Sequence, residues 1–148
     1  MELKKQLENA LKEAMKSADE PRKRTIRLIM ASIKNLEIDK GSSLDDAGIL
    51  NVIQKEIKIR KEAIEGAEQA HREDLKVETQ KEVMILETFL PTQLGDDELR
   101  AMIKNSILEV QATSINETGK VMKALMPKVQ GRATGDRISQ LVREILQE

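Results

Sequence analysis

Apolar residues recur three and four positions apart along nearly the whole chain, and no stretch alternates apolar with polar. That spacing gathers side chains on one face of a helix, whereas a half-buried strand needs a period of two. The pattern predicts an all-α fold. Composition supports it: Phe89 is the sole aromatic, where strands draw on aromatic and β-branched residues. The 148 residues suffice to enclose a core, and no apolar run approaches the ~20 residues a membrane-spanning helix needs.

Leu3, Leu7, Leu11 and Met15 define a first helix, with Ala14 and Ala18 widening its stripe. It stops before Asp19-Glu20-Pro21, where proline suits a new first turn. A second helix carries Ile26, Ile29, Met30, Ile33 and Leu36 and ends near Lys40-Gly41. Ser43-x-x-Asp46 reads as a capping box for a long third helix with Ile49, Val52, Ile53, Ile57, Arg60 and Ile64 on one face. That helix weakens at Gly66 and breaks between His71 and Asp74, where histidine tolerates a left-handed position. Leu75, Val83, Leu86, Phe89 and Leu90 mark a fourth helix, stopped by Pro91.

The segment Leu90 to Asp97, with a proline, a glycine and acids suited to a helix start, is the best domain boundary. Beyond it lie helices on Leu99, Met102, Ile103, Ile107 and Val110, then on Val121, Met122, Leu125 and Met126, the latter closed by Pro127. Met122 and Met126, one turn apart, read as core fillers. A last helix starts near Thr134-Gly135-Asp136 and carries Ile138, Leu141, Val142, Ile145 and Leu146. The expected architecture is an N-terminal four-helix domain over residues 1–92 followed by a small three-helix C-terminal domain over 93–148.

A net charge of −1 conceals uneven placement. From Lys120 to Arg143 six bases face one acid, and from Arg22 to Lys34 five bases face none, so both stretches suit phosphate. Gly131 to Gly135 forms a basic turn into a helix N-terminus, where backbone N–H groups favour an anion unless Asp136 caps them. Lacking aromatic platforms, the chain is not expected to stack bases. Without cysteine it has no disulfide, thiolate zinc site or cysteine nucleophile, which fits a reducing compartment. His71 is the only histidine, and neither a serine-nucleophile signature nor a P-loop occurs. These readings predict no metal, no cofactor and no autonomous active site.

Several segments resemble the YqeY-like family: Thr25-Ile26-Arg27-Leu28, Ile33-Lys34-Asn35 with Glu37-Ile38-Asp39, Ile53 to Lys58, Arg72-Glu73-Asp74-Leu75 and Leu90-Pro91-Thr92-Gln93-Leu94. So does Gly119-Lys120-Val121-Met122-Lys123-Ala124-Leu125-Met126-Pro127-Lys128-Val129-Gln130-Gly131-Arg132-Ala133, which is also similar to the C-terminal tail of the GatB subunit of tRNA-dependent amidotransferases. The resemblance spans essentially the whole chain in order. It implies an all-helical fold and a link to glutamine-dependent transamidation of mischarged tRNA. It makes Lys120, Lys123, Lys128 and Arg132 the candidate RNA-facing residues, Val121, Met122 and Leu125 core, and Gly119, Gly131 and Ala133 the sites of tight turns and close packing. Gly95 and His71 depart from the family pattern, which has a hydroxyl residue and a glycine there.

The resulting expectation is a non-catalytic cytoplasmic module that binds the tRNA backbone, or assists an amidotransferase, through its basic C-terminal domain. The amidotransferase's catalytic cradle has no counterpart in 148 residues. The alternative is a protein-interaction module with no RNA role, its partner riding the Arg22 to Lys34 helix or the third helix.

Overall fold

A computed structural model describes residues 2–148. The fold is all-α: the described residues form seven α-helices and one 3-10 turn, without a strand. The chain divides into two compact units, one reaching Leu90 and the other running Pro91–Glu148.

The first unit is built from α1 (Glu2–Lys16), α2 (Glu20–Lys40), α3 (Asp46–Gln69) and α4 (Glu73–Glu87). α1 buries Leu3, Leu7, Ala10 and Ala14, a stripe spaced four, three and four. Met15 lies off that stripe and is half exposed, contrary to the expected Leu11–Met15 edge. α1 ends where Ala18 turns left-handed, and Asp19 then caps α2 by accepting from the Arg22 N–H at 3.2 Å, with Pro21 in the first turn. Gly41, at φ 72°, closes α2 by donating to the carbonyls of Glu37 and Ile38. A side chain there would meet the left-handed penalty, so glycine is the fitting residue.

The expected capping box at Ser43 and Asp46 is not what starts α3. Asp45 is the cap, accepting from the Gly48 N–H at 2.8 Å, while Asp46 accepts from the Leu3 N–H at 3.3 Å. Asp46 is thus drawn to a neighbour distant in sequence, which local spacing does not encode. His71 does adopt the left-handed conformation, φ 57°, between α3 and α4.

Leu7, Ile29, Ile33, Ile49, Ile53, Ile57 and Leu86 fill the core of this unit. Glu37 ties three segments: it accepts from the Leu44 N–H at 2.8 Å and from Lys4 at 3.1 Å. The Leu44 hydrogen bond, then Lys4, holds its carboxyl below the ordinary range. Arg60, buried in the apolar stripe of α3, reaches Glu56 at 2.6 Å and Glu82 of α4 at 2.9 Å.

The second unit holds α5 (Asp96–Val110), the 3-10 turn Ile115–Glu117, α6 (Thr118–Val129) and α7 (Gly135–Leu146). Leu94, Leu99, Ile103, Val121, Leu125, Val129, Ile138 and Val142 form its core. α6 runs two residues past Pro127, so the proline does not close it. Its end comes instead at Gln130 and Gly131, which have φ 52° and 77°.

The segment after Pro91 is stitched onto the turn between α6 and α7. The Leu94 N–H donates to the Arg132 carbonyl at 2.8 Å, and the Arg132 guanidinium donates to the Thr92 carbonyl at 3.0 Å. Arg137 donates to the Leu94 carbonyl at 2.8 Å and pairs with Asp96 at 2.6 Å. Gln93 adds a bond to the Gly131 carbonyl at 3.3 Å.

Candidate nucleic-acid interface

α6 turns Val121, Leu125 and Val129 inward, one turn apart each, which fixes the azimuth of every other residue on it. At about 100° per residue, Lys120 and Lys123 fall about 60° apart on the opposite face. Both are exposed, and among the described residues neither has an ion pair within 4.0 Å. The structure brings this pair together.

It does not bring Lys128 and Arg132 to them. Lys128 is rotated about 80° from Lys120, and its amine sits 2.7 Å from both carboxylate oxygens of Glu109 on α5. Arg132 lies beyond the helix, hydrogen-bonded to the Thr92 carbonyl, with Glu98 at 3.9 Å. Two of the four expected phosphate contacts therefore already hold internal partners. No sequence signal gives this away, because the partners stand 19 and 40 residues distant.

The anion site expected at Gly131 to Gly135 is not assembled either. Thr134 is the cap of α7 and accepts from the Arg137 N–H at 3.2 Å. The Arg137 side chain is turned to Leu94 and Asp96, and Asp136 stands in the first helical turn. A hydroxyl cap, an adjacent acid and a diverted arginine leave little positive potential there.

One acid, Glu117, borders the lysine pair at the start of α6. Glu117 accepts from the backbone N–H groups of Thr113 and Ser114, and these bonds hold its carboxyl below the ordinary range, with Lys120 adding to the effect. Glu117 stays charged at neutral pH and offsets part of the local field. Glycine is not needed at Gly119, where an added Cβ would meet nothing within 4 Å. Gly131 does need it, at φ 77°. Ala133, 2% exposed, is packed into the core, Met122 is half-buried, and Met126 is exposed rather than core.

Amines on flexible stems bind phosphate as point charges and read no base. Among the described residues no group of three His, Cys, Asp or Glu side chains is arranged to hold a metal, and no helix is long and apolar enough to cross a membrane. The second unit is a helical module displaying a lysine pair on the open face of α6. The chain that contains it belongs to the YqeY-like family, whose pattern matches residues 4–146.

Among its relatives is "Altered inheritance of mitochondria protein 41, mitochondrial" of Pyrenophora tritici-repentis, 32% identical over 144 residues, covering 95% of this chain and 78% of that protein. The protein of the same name in Lachancea thermotolerans is 34% identical, over 73% of this chain and 59% of its own length. That of Kluyveromyces lactis is 40% identical, over 56% of this chain and 45% of its own. The chain thus spans about half the length of the latter two.

The expected cytoplasmic location is overturned by these relatives, which are named as mitochondrial. The physical ground for it was narrow. Absent cysteine fits any reducing compartment, the mitochondrial matrix included, and so does not single out the cytoplasm.

Proposed function

We propose that this protein is a non-catalytic module that binds the tRNA backbone, or assists a tRNA-dependent amidotransferase, with Lys120 and Lys123 as its primary phosphate contacts. The carrying observation is the exposed lysine pair on α6, without an internal ion pair, in the segment that resembles the GatB tail. Lys128 and Arg132 join only by exchanging Glu109 and the Thr92 carbonyl for phosphate, so each contributes less than an unengaged lysine. Under this reading residues 1–92 act as a four-helix domain and 93–148 as a three-helix domain.

Two lysine contacts give weak, shape-directed binding with a shallow salt dependence, each contact adding about 0.7–0.9 to the slope of log affinity against log salt. A fluorescence titration against tRNA across a salt series tests this, with an unrelated structured RNA as competitor. Replacing Lys120 and Lys123 with Ala should lower the slope by about 1.5. Adding Lys128→Ala and Arg132→Ala should lower it by less than that again. Binding unchanged by all four substitutions at low and high salt would remove α6 as the interface. The chain with glutamine, ATP and mischarged tRNA should yield no amidated product, and turnover would overturn the non-catalytic reading.

A further inference from the structure

The basic run of α2 is left unexplained by a phosphate contact on α6, and the structure sorts its members. Arg22 lies over the Phe89 ring at 5.6 Å, Lys23 reaches Glu20 at 3.7 Å, and Arg24 reaches Glu78 at 3.8 Å. Arg27 and Lys34 have no ion pair or hydrogen-bonded partner for their side chains among the described residues. They stand seven residues apart, about 10 Å along the axis and within about 20° in azimuth.

α2 buries Thr25, Ile26, Ile29 and Ile33. Its opposite face carries Arg24, Arg27, Ala31, Lys34 and Ile38, all exposed, at spacings of three, four, three and four. The spacing is that at which one helix packs along another, here with cations at three of the five positions. Ala31, small and set between the two cations, allows a second backbone to approach closely. Beside it lies a hollow of about 380 Å³ between α1 and α2, walled by Leu7, Met30, Ala31 and Ile33, with Lys34 and the Lys4–Glu37 ion pair also lining it. Ile38, 67% exposed, adds an uncovered apolar side chain at the C-terminal end of this face.

We propose that this face of α2 docks an acidic amphipathic helix of a protein partner, its carboxylates on Arg27 and Lys34 and an apolar side chain between them in the α1–α2 hollow. Charge complementarity sets the occupant. No acid lies between Pro21 and Leu36, and the first one beyond, Glu37, is engaged by Lys4 and the Leu44 N–H. A phosphate backbone would satisfy the cations but leave the hollow and Ile38 uncovered. A second copy of this chain does not supply the pattern, since none of its helices carries two acids seven residues apart.

The test uses the full chain and three labelled 21-residue peptides, read by fluorescence anisotropy. One is a helix with Glu at seven-residue spacing and Leu on the same face. The second has Lys for Glu, and the third is oligoglutamate. The acidic amphipathic peptide should bind, and the other two should bind at least about tenfold more weakly. The double variant Arg27→Glu/Lys34→Glu should lose at least about tenfold for the acidic peptide and gain affinity for the lysine one. Ala31→Trp should weaken the acidic peptide, and Lys120→Ala/Lys123→Ala should leave it unchanged. Circular dichroism confirms that each variant is folded. Equal binding of oligoglutamate, affinity indifferent to the double variant, absence of binding, or displacement by tRNA sensitive to Arg27 and Lys34 would each overturn the proposal.

Discussion

Arg60 occupies a position where the apolar stripe of α3 calls for a hydrophobic side chain, and it is 9% exposed. Its alkyl stem extends the stripe while its guanidinium meets Glu56 and Glu82, linking α3 to α4. Removing a buried cation strands two carboxylates, and Glu56 and Glu82 are partly hydrated, which moderates the cost. Arg60→Ala should lose about 2–3 kcal/mol in urea unfolding. Arg60→Met with Glu82→Leu should recover most of it, and an equal loss in both would mean that the ion pairs themselves, not the packing that Met keeps, carry the stability. Asp96 shows the acid side of the same chemistry. Its hydrogen bond to Arg137, then the charge of that arginine, holds its carboxyl below the ordinary range. A group whose pKa is lower folded than unfolded adds stability above its unfolded value, and that stability is lost as pH falls through the folded one. Asp96→Asn should therefore lower the unfolding midpoint at pH 7 and barely change it well below the ordinary carboxylate range. A variant shifted equally at both pH values would exclude the charge as the cause.

At the scale of the element, α6 separates two glycines that the family resemblance treats alike. Gly119 sits in the helix with open space where a Cβ would point, so Gly119→Ala should stabilise by about 0.5–1 kcal/mol. Gly131 is left-handed, so Gly131→Ala should cost about 1–2 kcal/mol. Thermal unfolding of the two variants checks the opposite signs. The contrast marks what was legible in the sequence. Helical period, the Pro21 start, the Gly41 stop and the left-handed His71 follow from local chemistry, and each was readable. Pro127 was misread because proline near the end of a helix removes only one donor, and the packing of Val129 carries the helix past it. The candidate site was half legible. Positions three apart at Lys120 and Lys123 can be placed on one face from spacing alone, whereas the pairing of Lys128 and Arg132 depends on how α5 and the segment after Pro91 pack.

At the scale of the molecule, the second unit carries its own means of closure. The bonds from Thr92, Gln93, Leu94 and Asp96 to the turn at Gly131 to Arg137 bind its first residues to its last helix. Its core draws on Leu94, on α5, α6 and α7, and on Ala133 of the turn. A domain of this size buries a modest fraction of its surface and folds alone only if such links are intact. Residues 91–148 expressed alone should therefore unfold cooperatively, with a lower midpoint after Arg137→Ala, which removes the bond to the Leu94 carbonyl and the pair with Asp96. A broad transition without dispersed amide resonances would show that the separate three-helix domain proposed above does not exist. If it folds, it also isolates the functional reading. Lys120 and Lys123 both lie within it, so it should bind tRNA with the same salt slope as the whole chain and lose it with the same double substitution. A fragment that folds but shows a much shallower slope would assign the missing phosphate contacts to the first unit, where Arg27 and Lys34 of α2 have no ion pair among the described residues.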